Sequence, residues 1–236
     1  MEKLRFLIQN IQSVLFIENF AFRNKLRIAS RVNEVVNNLF DGDPTMLDLP
    51  PDAPPEIPRI QLKDSKPIYS LNFSPTRIDF FYNEPGKPDK VLDSLKDDYL
   101  KYFFSIINLV KDEYRLSISR IAIVIKAVSE IEGGSNLLIH GNFLGERPFF
   151  KNTYGLEVHA LEKTAINSYD VNRWFRIKTA RTPTGDDNIL FVEIDINTFT
   201  LQEKPRDFDL EDIKDFFNKS IIYAKNSFLN CFGVSL

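Results

Sequence analysis

Ser119-Arg120-Ile121-Ala122-Ile123-Val124-Ile125-Lys126-Ala127-Val128 decides the fold. Its nearly unbroken apolar run, rich in branched side chains, predicts a strand in the middle of a sheet, covered on both faces. Just before it, Asp89 to Glu113 spaces Leu92, Leu95, Tyr99, Phe103, Ile106 and Val110 by three and four, with Asp, Glu and Lys between them. That periodicity predicts an amphipathic helix feeding the strand.

Upstream, Arg59 to Lys63, Ile68 to Phe73 and Arg77 to Asn83 predict three short strands, the last two joined by Ser74-Pro75-Thr76. Prolines at 44, 50, 51, 54, 55 and 58 remove amide donors and bias the preceding stretch to extended geometry, an ordered arm rather than a flexible linker. Phe22 to Phe40 carries Leu26, Ala29, Val32, Val36 and Leu39 and stops at Asp41-Gly42-Asp43-Pro44, which predicts a helix. Leu4 to Ile17 fits either a strand or a helix, and the density of branched and aromatic residues favours the strand.

Downstream, Gly133-Gly134 predicts a turn into Leu137-Leu138-Ile139, and Gly141 to Pro148 a loop. Thr153 to Lys163, Val171 to Ala180 and Ile189 to Phe199 predict three more strands, with Pro183 to Asn188 as the hairpin between the last two. Leu190, Val192, Ile194 and Ile196 alternate with Phe191, Glu193, Asp195 and Asn197, so one face of that strand is core. Asp209 to Phe232 is a helix with Leu210, Ile213, Phe217, Ile221, Ala224 and Phe228 as its stripe, ended by Gly233.

Strand clusters separated by long helices predict an α+β domain over residues 1–236, mainly antiparallel sheet with amphipathic helices packed on it. Lys101-Tyr102-Phe103-Phe104-Ser105-Ile106-Ile107 is echoed by Lys214-Asp215-Phe216-Phe217 and Ser220-Ile221-Ile222, which suggests two similar strand-strand-helix lobes. They occupy about residues 1–130 and 149–236, joined by 131–148.

Composition narrows the function classes. Over 236 residues, 43% hydrophobic and 27% charged residues exclude disordered and collagen-like chains. A net charge of −3 supplies no global field for nucleic acid or an anionic membrane, so such contacts need a local patch. Cys231 is the sole cysteine, which excludes an intramolecular disulfide and a thiolate zinc site and suggests a cytoplasmic setting. Polar residues interrupt the opening segment as a leader, and the run from Tyr102 to Val110 is too short to cross a bilayer.

Few reactive groups are available. His140 and His159 are the only histidines; Glu157 with His159, and Glu193 with Asp195, share strand faces and would gather ligands only if those strands paired. A solvated sheet face is the plainer account of all four. Gly-x-Ser-x-Gly, Walker A and Gly-x-Gly-x-x-Gly patterns do not occur, and Cys231 sits among apolar residues as an inert thiol. Neither catalytic residues, nor a metal site, nor a cofactor is expected. The clearer signals are cationic. Arg23, Arg27 and Arg31 recur every four residues and would line one helix face, and with Lys3, Arg5 and Lys25 they make the first forty residues basic. On the strand Val171 to Ala180, Trp174, Arg176 and Lys178 point one way, and Arg173, Phe175, Ile177 and Arg181 the other. An indole beside two cations suits base stacking with phosphate contact, but the plainer account is a buried ring with arginine stems over core-edge apolar surface.

The layout also resembles a sporadically distributed family of prokaryotic proteins of this length, known mainly as uncharacterised. The resemblance rests on Leu49-Pro50-Pro51-Asp52-Ala53-Pro54-Pro55-Glu56-Ile57-Pro58-Arg59, the helix leading into Ser119-Arg120-Ile121-Ala122-Ile123, and the C-terminal helix ending near Phe232. It implies a prokaryotic source and no transferable catalytic residue. The residues favour a cytoplasmic binding or interaction module without chemistry of its own, recognising a protein partner and expected to pair as a homodimer through Leu4 to Ile17 or Asn197 to Lys204. Second comes a nucleic-acid-binding or nucleic-acid-processing protein using the two cationic groups, and third a small-molecule enzyme; no membrane contact is expected.

Overall fold

The computed structural model describes residues 4–18, 20–50, 52–84, 86–131, 134–145, 155–166, 169–180, 188–199, 207–234 and 236. Leu7–Ile17 (β1) is a strand at the middle of a nine-stranded antiparallel sheet, paired with Arg77–Asn83 (β5) on one side and Ile118–Glu130 (β6) on the other. Beyond β5 lie Tyr69–Phe73 (β4), Ile60–Lys63 (β3) and the two-residue Thr45–Met46 (β2). Beyond β6 lie Ile189–Thr198 (β9), Tyr169–Ala180 (β8) and Glu157–Ile166 (β7). The helices are Lys25–Val35 (α1), Leu92–Asp112 (α2), Ser135–Ile139 (α3) and Leu210–Phe232 (α4). This is the α+β class with an antiparallel sheet that the strand clusters predict.

With β2 set aside, the order β-α-β-β-β-α occurs twice, and the sheet order mirrors about the β1/β6 junction. In this order β6 opens the second series, whereas a division at 131–148 leaves it with the first. Both candidate dimerisation segments change character in this topology: β1 is central, and Asn197 and Thr198 belong to β9, which has neighbours on both sides. Among the described residues neither segment offers a free edge.

Burial follows the alternation. Ser13, Phe80, Ile123 and Ile196 stand in one cross-strand row on the face that takes the helices. The Tyr99 hydroxyl of α2 hydrogen-bonds there with Ser13 Oγ at 2.9 Å and the Phe80 carbonyl at 3.0 Å, so a fully buried phenol is satisfied. Phe80 stacks on Tyr99 and Phe103, and Phe103 meets Phe217 of α4 edge-on with centroids 4.7 Å apart. The two residues of the sequence echo therefore form the α2/α4 contact.

Three local expectations are corrected. α1 is shorter than 22–40: the Asn24 side chain accepts from the Arg27 N–H and caps it, and Asn37 and Asn38 adopt left-handed φ of 55° and 57° at its end. Residues 141–144, expected as loop, join His140 in a π-helical turn continuing α3. β6 is covered by helices on one face only, because Ile121, Ile123, Ile125 and Ala127 point to them while Arg120, Ala122, Val124 and Lys126 point away. Its apolar run is unbroken because Ala122 and Val124 sit mid-sheet, where neighbouring side chains shield them. The Pro arm folds around Arg59, whose guanidinium donates to the Ile57 and Ala53 carbonyls. Gly42 is required where it is, since a Cβ would come within 2.8 Å of the Lys63 carbonyl. Gly133, Arg181, residues 146–148 of the expected loop, 183–187 of the expected hairpin and 200–204 lie outside the described residues.

Asp207 ties the approach to α4 onto β6. Its carboxylate accepts from the Ile118 N–H and from Lys111 Nζ, both at 2.8 Å. Desolvation raises its pKa, but the hydrogen bonds from Lys111 and Ile118 and the Lys111 charge outweigh that and hold it below the ordinary carboxylate value. A depressed pKa contributes stability that is present above about pH 4 and lost as pH falls through the lowered value. Asp207→Asn is expected to flatten the acid limb of stability measured by urea unfolding against pH. For the core, Phe103→Ala and Phe217→Ala should each cost about 3–5 kcal/mol, with a coupling in the double-mutant cycle of about 0.5–1.5 kcal/mol from the edge-on ring pair.

Candidate functional site

α1, α2 and α4 pack on the face bearing Ser13, Phe80 and Phe175, which leaves the opposite face free of helices among the described residues. Cross-strand rows organise it. One row runs Phe81, Gln12, Val124, Asp195, Trp174, Leu161 from β5 to β7. The adjacent row runs Asn83, Asn10, Lys126, Glu193, Arg176, His159.

A connected polar network crosses the central strands at the end where β1 and β9 finish and β5 and β6 begin. Arg120 Nε donates to the Thr198 carbonyl and Nη2 to Asn197 Oδ1, each at 3.0 Å. Asn197 Nδ2 donates to Asp195, and Asn172 Nδ2 to Asn197 Oδ1. Toward β5, Gln12 Nε2 and Arg77 Nε both donate to Asp79 Oδ1 at 2.8 Å. The Phe16 ring joins the two sides, with the Arg120 guanidinium 4.6 Å and the Arg77 guanidinium 5.5 Å from its centroid. Burial lowers the Arg120 pKa from the ordinary guanidinium value; the Asp195 charge opposes this and Arg77 adds to it.

Trp174, Arg176 and Lys178 do share this face. Arg176 lies over Trp174 at 5.0 Å, yet it is also ion-paired with Glu193 and 3.9 Å from Asp195. Lys178 is exposed and lies over Phe191 at 4.9 Å. The basic stripe sits elsewhere. Arg23 precedes the helix, Arg27 is exposed on α1, and Arg31 pairs with Glu34 and, at 2.9 Å, with Glu113. Because α1 is on the helix side, the two cationic groups do not form one surface, and the three arginines do not form one row.

β7 pairs with β8, so Glu157 and His159 do not meet Glu193 and Asp195: Arg176 stands between His159 and Glu193 in the register. Among the described residues no three His, Cys, Asp or Glu side chains cluster for a metal. Cys231 is half-buried, and burial raises its pKa, which keeps the thiol protonated.

A cleft of about 1220 Å³ opens where β1 begins and β6 and α4 end. Leu7, Val128, Leu138, Phe191 and Phe232 form apolar walls, and the ion pair Lys87–Glu130 at 2.7 Å lies at its rim. Phe191 belongs both to this cleft and, under Lys178, to the helix-free face. Sequence reading missed the cleft, Phe191, Arg120 and Phe16. Alternation marks which residues of one strand share a side, but not which strands lie side by side.

No protein-family model matches the chain, and no curated protein matches it in sequence. Among the described residues no helix is long and apolar enough to cross a membrane.

The network separates structural from available cations. Arg120→Ala removes donors to Asn197 and Thr198 and uncovers Phe16, so a cost of about 1–3 kcal/mol is expected in urea unfolding. Lys178→Ala, exposed and outside the network, is expected to stay within about 0.5 kcal/mol of the parent.

Proposed function

We propose that this chain is a non-enzymatic binding module of the prokaryotic cytoplasm that engages a protein partner across the helix-free face, with an apolar anchor of the partner entering the adjoining cleft. One observation carries the reading: an apolar cleft of about 1220 Å³ runs into an aromatic and cationic sheet face through the shared Phe191. A concave apolar pocket beside a polar, hydrogen-bonded rim is the arrangement that lets a buried anchor supply affinity while the rim supplies register. At the cleft itself the Lys87–Glu130 ion pair supports it, because charged side chains already held against each other lose little freedom on binding.

Nucleic-acid binding is the second reading, favoured by the Trp174, Arg176 and Lys178 row. The charge balance of the face weighs against it. Arg77 is held by Asp79 and Arg176 by Glu193, so phosphates would have to displace carboxylates already in contact.

A photo-crosslinking side chain placed at Lys178 in the native host, with the same group at Arg27 as control, tests both. The expected outcome is protein adducts at Lys178 that are absent at Arg27 and are lost on adding Phe191→Asp. Nucleic-acid adducts at Lys178 that weaken steeply with salt would replace the proposal by the second reading, and equal labelling at both positions would remove it.

A further inference from the structure

The two edges of the sheet are unlike. One is blunted: β2 has only two residues and is followed by the proline arm that folds around Arg59. The other is β7, ten residues long, with β8 on one side and no strand on the other among the described residues. A long strand with a free edge presents a row of backbone donors and acceptors that pairs with another strand unless it is blocked. β7 contains no proline, and nearly all of its side chains up to Ala165 are exposed.

Its charges are placed so that one self-pairing satisfies them. We propose that β7 pairs antiparallel with β7 of a second copy, about a two-fold axis through Ala160, continuing the sheet across both molecules. A two-fold axis normal to the sheet keeps the same face up in both copies, so paired residues must have numbers of equal parity. Centred on Ala160, Glu157 of each copy faces Lys163 of the other, twice by symmetry, and His159 faces Leu161. Ala160, small and exposed, meets its own counterpart on the axis. Centred on Glu162, two carboxylates would face each other; centred on Leu161, Lys163 would face His159 and Glu157 would face Ala165. Of these three registers, only the Ala160 one sets a carboxylate opposite a lysine.

Within one copy both groups are available. Glu157 is 56% exposed in its side chain and, among the described residues, its polar contact is His159 Nε2, at 3.3 Å. Lys163 is exposed, and no carboxylate lies within ion-pair distance of it among the described residues. Charges along an edge ordinarily repel strangers. Here their order also selects a partner, admitting one register and opposing its neighbours.

The test uses the full chain. Light scattering at micromolar concentration should give twice 27.4 kDa. Glu157→Lys or Lys163→Glu alone turns two attractive pairs into repulsive ones and should weaken the dimer about tenfold or more, and the double exchange should restore it. With Cys231→Ser as background, Ala160→Cys should form a disulfide-linked dimer on mild oxidation, since facing residues of antiparallel strands lie about 4.5–5.5 Å apart between Cα atoms. Ala165→Cys should not. A monomeric mass throughout, a dimer indifferent to the charge reversals, or linkage at Leu161→Cys in place of Ala160→Cys would overturn the proposal. Far-UV circular dichroism spectra that match the parent's show that the fold is intact in each comparison.

Discussion

The antiparallel pairing of β1 with β6 is the constraint on which the rest of the sheet depends. Ten register pairs, from Leu7 with Val128 to Ile17 with Ile118, join the two series of elements, and every other strand is placed by its distance from this seam. The contact is non-local, more than a hundred residues apart in sequence at every pair, so its entropy cost must be met by burial on one side. That burial comes from Ile11, Leu15, Ile121, Ile123 and Ile125 beneath α2 and α4. The seam and the helix layer are thus one cooperative unit.

Covering one face leaves the other to be managed by polar chemistry. A wide sheet cannot expose its central strands to water as bare apolar surface without inviting association. Here Val14 and Ala122 are nevertheless buried, at 3% and 6% exposure, in the row between Asp79 and Asn197, the two residues to which the long arginine side chains reach. The guanidiniums of Arg77 and Arg120 are held by Asp79, Asn197 and a carbonyl, so these side chains are fixed by hydrogen bonds. A face constructed this way is stable without a partner, and its excess cationic character is small. Lys178 is different: it is exposed and lies over Phe191, a wall of the cleft, outside the network.

How much of this was legible in the sequence follows from the range of the interactions. Periodicity of 3.6 marked α2 and α4, and the alternation from Leu190 to Ile196 marked the core side of β9, because both patterns record a neighbour on one side only. The ends of α1 were misplaced because Asn24, Asn37 and Asn38 act through side-chain capping and left-handed backbone, which hydrophobic spacing does not register. The shared side of Trp174, Arg176 and Lys178 was legible; their carboxylate partners on β9 were not, since that needed the strand order. The same gap explains the basic stripe. Spacing of four implied one helix face, but Arg23 lies before the helix and Glu113, from the end of α2, neutralises Arg31 across 82 residues of sequence.

Strand order also decides what a charged residue means. His159, Arg176 and Glu193 are neighbours in one row, and a cation between an imidazole and a carboxylate excludes a metal there by simple repulsion. On β7 the same alternation of Glu and Lys has no strand beyond it, and the charges face outward along a free edge among the described residues. Similar side chains are therefore flanked by strands on both sides in the middle of the sheet, and on one side only at its margin, where Glu162 still meets Arg173 and Tyr223 and Glu157 meets His159. The recognisable chemistry of this protein lies at such margins, the lip of the cleft and the β7 edge, because there the fold leaves polar and aromatic groups whose contacts it does not itself complete.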